Sequence, residues 1–480
     1  MNIITSFTTS IYVQIAKILT IWIFYSKFTF GRKNISMFKL NLGKTKIPHN
    51  KNTAEIAPVR MSPPQTVCLP MAQHIGAPSV PIVKVGDTVK VGQKIAEGAS
   101  PVSSPIFASV SGTVVKFDTN KKSDGRVSDT IIIESDGLMT PADDIAPPSV
   151  SDLDSFVTAI KNSGIVGLGG AGFPTAIKFA IQPGKVIDTV VLNGAECEPY
   201  ITVDTRTMLD ESDPIRDGIE LIRRFLPSVS KFVIGIEKNK PGCIKKMKEV
   251  FASDKSVTVK ALPLLYPQGA EKVLIHTTTG RIVPEGKLPA DVGVLVINVT
   301  TLATIAKYIK TGMPLVERCV TVDGSAIKNP MNVIAPIGTS VRDLIDFTGG
   351  LDEVPVKIIF GGPMTGAAAY SLDEPIIKTT NAILAFAKED AVLTSASACI
   401  HCGKCVESCP HKLEPTSFCK ALDIDNQDER LARLEKLRIN LCVECGCCSF
   451  VCPASRPLVE SNRSAKKFVR EYKAHRANLK

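Results

Sequence analysis

The sequence predicts a multidomain protein of the α/β and α+β classes that ends in a cysteine-rich helical domain. At 480 residues the chain is long enough for roughly three or four domains. Short strand-like runs come first, alternating strands and helices follow, and nine of the 14 cysteines fall in two runs at 399–409 and 442–452. With 44% apolar and 22% charged residues, the composition is that of a globular chain and excludes a largely disordered or collagen-like one.

Residues 1–36 are a doubtful N-terminal extension. The apolar stretch Ile11–Tyr25 contains the charged Lys17 and is shorter than the roughly 20 residues that span a bilayer. Two interpretations remain open. The segment is either a membrane anchor with the basic residues of 27–33 on the cytoplasmic side, or an extension ahead of a true start at Met37. The charge inside the segment favours the second.

The formal charge of +10 is concentrated at the two ends of the chain. Residues 1–60 hold nine Lys and Arg against one acid, and residues 454–480 hold eight against two, so that the part between them is slightly acidic. Basic ends of this kind suit an anionic membrane surface or a nucleic acid. A solvated, solubilising terminus is an equally good interpretation.

Residues 65–120 predict a small β domain. Val83–Gln93 alternates apolar and polar residues around a Gly86-Asp87 turn, which indicates a hairpin, and Ser109–Val114 repeats the pattern. The region resembles the barrel-sandwich domains that carry lipoyl or biotinyl groups. In those domains a lysine sits at a hairpin tip, but the matching segment here, 98–105, has no lysine. We therefore expect a structural or docking role.

Strands and helices alternate from about 155 to 300. Val186–Asn193 and Lys231–Glu237 are β-branched runs of strand length, and Gly242–Ala252 and Ala270–Thr279 are predicted helices. This rhythm predicts an α/β layer with a parallel sheet. Residues 318–370 then predict a compact mixed β domain of the β-grasp type, with a short helix at Val341–Phe347 and a strand at Lys357–Phe360.

A glycine-rich segment, Gly164–Lys178, is the first candidate binding site. It has five glycines in nine residues, including a G-x-G-x-x-G pattern that begins at Gly167, and a proline follows at a helix start. Such a loop offers backbone N–H groups to an anion such as phosphate. A Rossmann assignment fits poorly, because Pro183 breaks the following helix early. Soon afterwards a strand ends in Asn193–Pro199, at the position where α/β sheets bind ligands.

The cysteine runs are the most specific signal in the sequence. C-x2-C-x2-C-x3-C-P occurs at 399–410 and again at 442–453. This is the spacing of ferredoxins with two [4Fe–4S] clusters, in which the fourth Cys of each run ligates the other cluster. The first set is thus Cys399, Cys402, Cys405 and Cys452, and the second set is Cys442, Cys445, Cys448 and Cys409. Structural zinc is the disfavoured alternative, because zinc sites usually separate their C-x2-C pairs by about a dozen residues or more. Cys419 and Cys447 are predicted bystanders, and leucines at helical spacing from Leu431 to Leu441 predict a connecting helix.

From about Ser62 onward the chain resembles the C subunits of Rnf ion-translocating electron-transport complexes. Two of its segments, Gly167–Lys178 and Asn193–Pro199, also resemble the flavin- and NADH-binding subunit of respiratory complex I. The stretches that carry the resemblance to the C subunits are Gln73–Pro78, Val191–Tyr200, Tyr266–Lys272, Leu288–Gly293 and Gly361–Met364, together with both cysteine motifs. The domains that the resemblance implies are a barrel-sandwich domain at 37–145, an α/β FMN/NADH-binding domain at 150–310, a β-grasp domain of the soluble-ligand-binding type at 311–390, a two-cluster ferredoxin domain at 391–460 and a basic tail at 461–480.

The resemblance also implies which residues hold the cofactors. The glycine-rich loop would lie against the flavin and dinucleotide phosphates through Gly167, Gly169, Gly170 and Gly172. Phe173 would stack on a ring, and Lys178 would offer its ammonium to a phosphate. Asn193 and Glu196 would hydrogen-bond the flavin, while Glu198 and Glu271, with the adjacent Lys272, would lie on the nicotinamide side. No side chain is expected to act as acid, base or nucleophile, because the cofactors carry the chemistry.

The function implied is that of a peripheral subunit of a membrane-bound, ion-translocating oxidoreductase. Electrons would pass between NAD(H) and ferredoxin-level carriers through FMN and two [4Fe–4S] clusters. The expected partners are other Rnf-type membrane and iron–sulfur subunits, NADH, and ferredoxin through the complex, with no nucleic acid, at the cytoplasmic side of the cell membrane. One alternative is a soluble FMN/iron–sulfur corrinoid reductase. A more distant one is a zinc-stabilised nucleic-acid-binding protein that uses the basic ends.

Overall fold

The computed structural model describes residues 45–121, 126–391 and 395–478. The predicted extension at 1–36 and both of its interpretations lie outside the described residues. Within the described part of the chain, no helix combines the length and the apolar character needed to cross a membrane.

The segment 45–61, which we call the N-terminal strap, crosses several parts of the fold. Thr45 makes an isolated β-bridge with Tyr266, and strand β1 (Val59–Arg60) pairs in parallel with a strand of the β-grasp sheet. Between these two points Thr53 is fully buried, with its hydroxyl bonded to that of Thr202. The strap therefore gains its structure from long-range contacts rather than from a helix or strand pattern of its own.

The N-terminal β domain consists of two small antiparallel sheets, ordered β2-β8-β7-β4 and β3-β5-β6. Its strands are β2 (Thr66–Pro70), β3 (Ser79–Pro81), β4 (Thr88–Val89), β5 (Lys94–Gly98), β6 (Ile106–Phe107), β7 (Gly112–Lys121) and β8 (Val127–Ser135). A turn is present at Val85-Gly86, but the predicted hairpin is wrong. Strand β3 pairs with β5 and β4 pairs with β7, so that the chain changes sheets at this turn.

The α/β domain has a four-stranded parallel sheet ordered β11-β10-β9-β12, which confirms the predicted parallel layer. Its strands are β9 (Thr189–Gly194), β10 (Lys231–Glu237), β11 (Val257–Leu262) and β12 (Val294–Asn298). Its helices are α1 (Leu153–Asn162), α2 (Thr175–Phe179), α3 (Val203–Asp210), α4 (Ser212–Phe225), α5 (Pro241–Val250), α6 (Glu271–Thr279) and α7 (Val299–Thr311). Every residue of β10 after Lys231 is buried, as expected of a strand covered on both faces.

The β-grasp region is a mixed sheet ordered β1-β14-β13-β17-β15-β16, with one helix packed against it. Its strands after β1 are β13 (Glu317–Asp323), β14 (Met331–Pro336), β15 (Lys357–Phe360), β16 (Ala367–Ala368) and β17 (Ala382–Phe386), and its helix is α8 (Val341–Phe347). The predicted helix and the predicted strand at Lys357–Phe360 are both confirmed. Val341, Leu344 and Ile345 are buried, which explains the apolar spacing of this short helix.

The C-terminal domain is built from short helices around the two cysteine runs. They are α9 (Lys404–Ser408), α10 (Pro415–Leu422), α11 (Gln427–Lys436), α12 (Cys447–Phe450) and α13 (Leu458–Asn478). The connecting helix is shorter than predicted, since Leu431 and Leu434 lie on α11 whereas Leu441 belongs to a 3₁₀ turn. Residues 461–478 are not a tail. They belong to α13, which buries Ala465 and Val469 against α10 and α11.

Candidate functional site

A cavity of about 870 Å³ lies where the carboxyl edge of the parallel sheet faces the β-grasp sheet. The glycine-rich loop, the ends of β9 and β12, and residues of 360–381 line it, and Val443–Cys445 of the second cysteine run reaches it from the C-terminal domain. Nine of the predicted cofactor residues are in the lining: Gly167, Gly169, Gly170, Lys178, Asn193, Glu196, Glu198, Glu271 and Lys272. Two predicted residues, Gly172 and Phe173, are outside it.

Gly172 and Phe173 close the base of the glycine-rich loop. The Gly167 N–H donates to the Phe173 carbonyl oxygen over 2.8 Å, and the Gly172 N–H donates to the Gly167 carbonyl oxygen over 3.1 Å. Gly172 has a φ of +65°, and a Cβ at this position would lie 2.5 Å from the Thr379 Cγ2. Its lack of a side chain is therefore required by the positive φ and by the packing of the loop on residue 379.

The side chains of Thr301 and Arg318, which no sequence motif predicted as site residues, hold Leu168 in the same loop. The Leu168 N–H donates to the Thr301 Oγ1 over 2.9 Å, and the Leu168 carbonyl oxygen accepts a hydrogen bond of 2.9 Å from the Arg318 guanidinium. Arg318 also donates to the Thr380 carbonyl oxygen, so that one cation fixes two walls of the cavity. Burial lowers the pKa of Arg318 to about 10. No sequence signal distinguishes this arginine from others at a strand start.

Lys178 and Glu271 form an ion pair at the cavity wall. The Lys178 Nζ lies 2.9 Å from the Glu271 Oε1 and 3.0 Å from the Val296 carbonyl oxygen. Both side chains keep part of their surface exposed, 29% for the lysine and 41% for the glutamate, so that each is accessible from the cavity. The pair places one cation and one anion beside the glycine-rich loop.

The Glu196 carboxylate makes hydrogen bonds with other groups of the protein. Its Oε1 accepts a hydrogen bond of 2.6 Å from the Asp204 N–H, and its Oε2 accepts one of 2.5 Å from the Thr205 hydroxyl. The carboxylate thus caps the amino end of α3, where the helix dipole favours negative charge. Burial raises the pKa of Glu196. At the neighbouring strand end, the Asn193 amide donates to the Gly269 carbonyl oxygen over 2.9 Å.

Glu198 connects the α/β domain with the β-grasp region. Its carboxylate accepts hydrogen bonds from the Tyr266 hydroxyl (3.2 Å), the Thr365 hydroxyl (2.5 Å) and the Met364 N–H (3.1 Å). Burial raises the pKa of Glu198. Tyr266 in turn packs against Cys447, which is fully buried, with Cys445 beside them. The predicted bystander Cys447 therefore lies in the contact between the cavity floor and the second cysteine run.

Two lysines, the half-buried Lys51 and the buried Lys240, lie behind the loop 195–201, which forms the cavity floor. Lys51, from the N-terminal strap, donates to the carbonyl oxygens of Glu196, Glu198 and Ile201 over 2.8, 2.7 and 2.6 Å. Lys240 donates to the Ala195 carbonyl oxygen over 2.8 Å and faces the buried Glu237 at 3.5 Å. Burial lowers the pKa of Lys51. No sequence pattern predicted either lysine as a site residue, because each donates to main-chain oxygen atoms that are far away in sequence.

The second set of cysteines surrounds a small cavity of its own. Cys409, Cys442, Cys445 and Cys448 all line it, together with Asn462 of α13. Cys409 comes from the first run and the other three from the second, while Cys447, which is outside the predicted set, lines the same cavity. Cys445 lines this cavity and the 870 Å³ cavity as well.

The first set is grouped nearer the surface. Cys405, Cys452 and Cys419 all pack against a buried group formed by Cys448, Leu458 and Val459. Burial raises the pKa of Cys405, and the negative charges of the Cys452 and Cys399 thiolates raise it further. Cys402 is exposed.

The two cysteine runs share one backbone conformation. His401 and Gly403 have φ values of +55° and +75°, and the matching residues Glu444 and Gly446 have +54° and +78°. Each run therefore makes the same turns on either side of its second cysteine, as expected of a repeated motif.

The thiols fit a cluster better than a single ion. A structural zinc site usually takes its ligands from C-x2-C pairs that are separated by about a dozen residues or more. A four-iron cube takes one thiolate at each iron and needs four thiols around a larger volume. The second set supplies four such thiols to one cavity.

Four family models match consecutive parts of the chain. They are the RnfC barrel sandwich hybrid domain at 42–138, the Nuo51 FMN-binding domain at 160–307, the SLBB domain at 319–368 and the 4Fe-4S dicluster domain at 398–456. The second match covers the glycine-rich loop and the strand ends that line the cavity. The fourth covers both cysteine runs.

Curated relatives are similar over about three quarters of the chain. The C subunit of a proton-translocating ferredoxin:NAD(+) oxidoreductase complex from Clostridium ljungdahlii is 46% identical over 75% of this chain and 79% of its own length. The C subunit of a Na(+)-translocating ferredoxin:NAD(+) oxidoreductase complex from Acetobacterium woodii is 44% identical over 77% of this chain and 84% of its own. The C subunit of an ion-translocating oxidoreductase complex from Rhodobacter capsulatus is 37% identical over 76% and 72%.

Proposed function

Because the chain belongs to the family of C subunits of ion-translocating ferredoxin:NAD(+) oxidoreductase complexes, we propose that it is the component that exchanges electrons with NAD(H) in such a complex. The observation that carries the proposal is that Cys445 and the glycine-rich loop line one cavity. A flavin in that cavity would thus be next to an iron–sulfur site. The relatives' names do not favour the corrinoid-reductase alternative.

Residues of the cavity wall bind and orient the flavin and the dinucleotide. FMN and the two [4Fe–4S] clusters supply, when bound, hydride exchange with NAD(H) and transfer of single electrons. Gly169 and Gly170 line the cavity, and their main-chain N–H groups would hold the phosphates closely because no side chain intervenes. The Lys178 ammonium offers a charge-assisted hydrogen bond to one of them. Asn193 offers a neutral amide at the end of β9.

The positions of the two cysteine sets indicate the order in which electrons pass through the two clusters. The second set reaches the flavin cavity through Cys445, whereas the first set includes the exposed Cys402. We infer that the second-set cluster is adjacent to the flavin and that the first-set cluster faces the next carrier. The protein contributes position and environment to these sites, while the cofactors carry the electrons.

Membership of the same family also indicates the partner proteins of this chain. The relatives are named as subunits of complexes that move protons or sodium ions, so membrane-spanning partner proteins must supply the ion path. We infer that the chain is held by such partners as a peripheral component on the cytoplasmic side of the cell membrane, where NADH is available. Ferredoxin would exchange electrons with it through the complex.

Two cysteine variants test the order of electron transfer. The anaerobically reconstituted protein is reduced with excess NADH while NAD(+) is removed enzymatically, and both cluster signals are followed by EPR. In Cys402→Ser, which lies in the first set, the second-set signal should still develop. In Cys445→Ser, the first-set cluster, though assembled by iron content, should no longer be reduced. First-set reduction at the wild-type rate in Cys445→Ser would contradict the order, and the absence of flavin or of both clusters in the wild-type protein would contradict the proposed function.

A further inference from the structure

Asn462 is a buried amide on helix α13 that contacts two cysteines of the second set. Its side chain is 2% exposed. The Asn462 Nδ2 donates to the Cys442 Sγ over 3.5 Å and to the Cys448 Sγ over 3.9 Å. Its Oδ1 is buried and has no hydrogen-bond partner among the described residues. The amide therefore directs its donors at sulfur and leaves its acceptor unpaired.

Stability alone does not account for an asparagine at this position. The same face of α13 buries Leu458, Val459, Ala465 and Val469, so that an apolar residue at 462 would continue the pattern. An unpaired carbonyl oxygen in the interior destabilises the folded state. The two N–H···S bonds are the only contribution of this amide that a leucine of similar size would not replace.

A second donor lies one helical turn further along. Lys466 Nζ donates to the Cys442 carbonyl oxygen over 3.0 Å and pairs with the Glu444 carboxylate. Lys466 and Asn462 are four residues apart and thus on one face of α13. Helix α13 therefore presents an amide donor and a positive charge to the second set.

We propose that Asn462, with support from Lys466, raises the reduction potential of the cluster held by the second set. Reduction adds one electron and one negative charge to a cluster whose thiolate ligands are already negative. Hydrogen bonds to those sulfurs and a nearby cation stabilise the added charge, so the potential rises. The inference deepens the proposed function and rests on the assignment of these cysteines as cluster ligands.

The position of the second-set cluster explains the functional value of a higher reduction potential. Cys445 of the same set lines the flavin cavity, so the adjusted cluster is the one that exchanges electrons with the flavin directly. A higher potential at this point favours acceptance of electrons from the flavin and their brief retention before the next transfer. Helix α13, predicted from sequence as a basic tail, is then part of the electron-transfer path.

The test is a potentiometric EPR titration of the reconstituted full chain. Asn462→Leu should keep its iron and its resistance to unfolding, while the midpoint potential of the second-set cluster shifts downward and that of the first-set cluster stays the same. The first-set cluster is therefore an internal control within each sample. Lys466→Met should shift the same potential in the same direction, and Lys467→Met, which removes an exposed charge from the next residue, should leave both potentials unchanged.

A failure of the role proposed for Asn462 and a failure of the proposed function give different experimental results. Unchanged potentials in Asn462→Leu with both clusters present, or equal shifts in both clusters, would overturn the inference. If the leucine displaces iron, the smaller Asn462→Ala takes its place, with the same downward shift expected. Loss of second-set iron in both variants would make Asn462 a structural residue and overturn the inference as well. A wild-type protein that assembles no pair of clusters would instead refute the proposed function.

Discussion

Lys51 and Glu196 are 145 residues apart in sequence, yet the Lys51 Nζ donates a hydrogen bond of 2.8 Å to the Glu196 carbonyl oxygen. The same ammonium also binds the carbonyl oxygens of Glu198 and Ile201. Three acceptors from one loop thus converge on one cation supplied by the N-terminal strap. Because this loop is the floor of the 870 Å³ cavity that we propose for the flavin, the strap supports the wall of that cavity.

Lys51→Met is expected to destabilise the protein and empty the flavin site. The change removes the lysine donor from the Glu198 and Ile201 carbonyl oxygens and leaves that of Glu196 only its 3.3 Å bond from Lys240, which costs at least about 2 kcal/mol of unfolding free energy. Urea unfolding and the FMN content of the purified protein measure both effects. The control is Lys46→Met, which removes an exposed lysine of the same strap. Equal stability of the two variants would show that the buried contacts do not support the loop.

Local sequence patterns predicted those parts of the fold that depend on local physics. Strand β10 begins and ends where its β-branched run does, and Cys409 lines one cavity with the three cysteines of the second run with which the spacing groups it. The N-terminal strap and helix α13 were missed for a common reason. Their residues are stabilised by partners far away in sequence, and the many charges of 461–478 indicated a solvated tail although one face is buried.

The resemblance to known proteins located the cavity residues but not what each of them contacts. Glu196 and Glu198 were expected to contact ligands, and both are in the lining. Their carboxylates, however, accept hydrogen bonds from the amino end of α3 and from Tyr266, Thr365 and Met364. Such bonds depend on the three-dimensional arrangement of several domains, which no motif records.

Lys178→Met is expected to weaken binding of FMN by about 10- to 100-fold, since a charge-assisted hydrogen bond contributes about 1.5–3 kcal/mol. Fluorescence titration of the flavin-free protein gives the dissociation constant. Riboflavin, which lacks the phosphate, should bind equally well to both proteins. Glu271→Gln removes the anion that pairs with Lys178 and should bind FMN at least as tightly as the wild type. Parallel losses for FMN and riboflavin would mean that Lys178 does not meet the phosphate.

Gly446→Ala and Gly403→Ala test the contact between the second cysteine run and the cavity. Both glycines have positive φ, +78° and +75°, so alanine strains each by about 1 kcal/mol. A Cβ at Gly446 would also lie 2.4 Å from the Met364 carbonyl oxygen, whereas a Cβ at Gly403 meets no atom within 4 Å. Thermal unfolding should therefore show the larger loss for Gly446→Ala, together with slower NADH-dependent cluster reduction. Similar behaviour of the two variants would show that this contact has no role in transfer.

Cys452→Ala is expected to remove the first-set cluster, although Cys452 belongs to the second run. In the structure the Cys452 thiol lies close enough to Cys405 of the first run to raise the pKa of that thiol. Iron content should fall by about half, and EPR should lose one of two signals, because the fourth ligand crosses between the motifs. Cys419→Ala is the matched control, since this thiol lies in the same group and its Sγ is bonded to the Pro415 carbonyl oxygen. Loss of the signal that Cys442→Ala also removes would refute the crossed arrangement.

Lys378 is buried where three domains meet, and its protonation is expected to make the stability of the protein depend on pH. The Lys378 Nζ donates to the Ser104 hydroxyl (3.1 Å) and to the carbonyl oxygens of Pro105 (2.5 Å) and Gly164 (2.8 Å). None of these acceptors carries a full negative charge. Burial therefore lowers the pKa of Lys378 from its ordinary value of 10.5 to about 7.

Between these two values the unfolded chain keeps the lysine proton and the folded protein releases it. The unfolded state then binds more protons, so the contribution of Lys378 to stability rises with pH across this window and is lost as the pH falls towards 7. The unfolding free energy of the wild type, relative to Lys378→Met, should fall by up to about 1.4 kcal/mol per pH unit between pH 10 and 7, with no further change below pH 6. Urea titrations of both proteins at matched pH measure the difference, and Lys388→Met, at an exposed lysine, is the control. A difference that does not vary with pH would show that Lys378 keeps its proton in the folded protein, held by the three oxygen atoms that surround it.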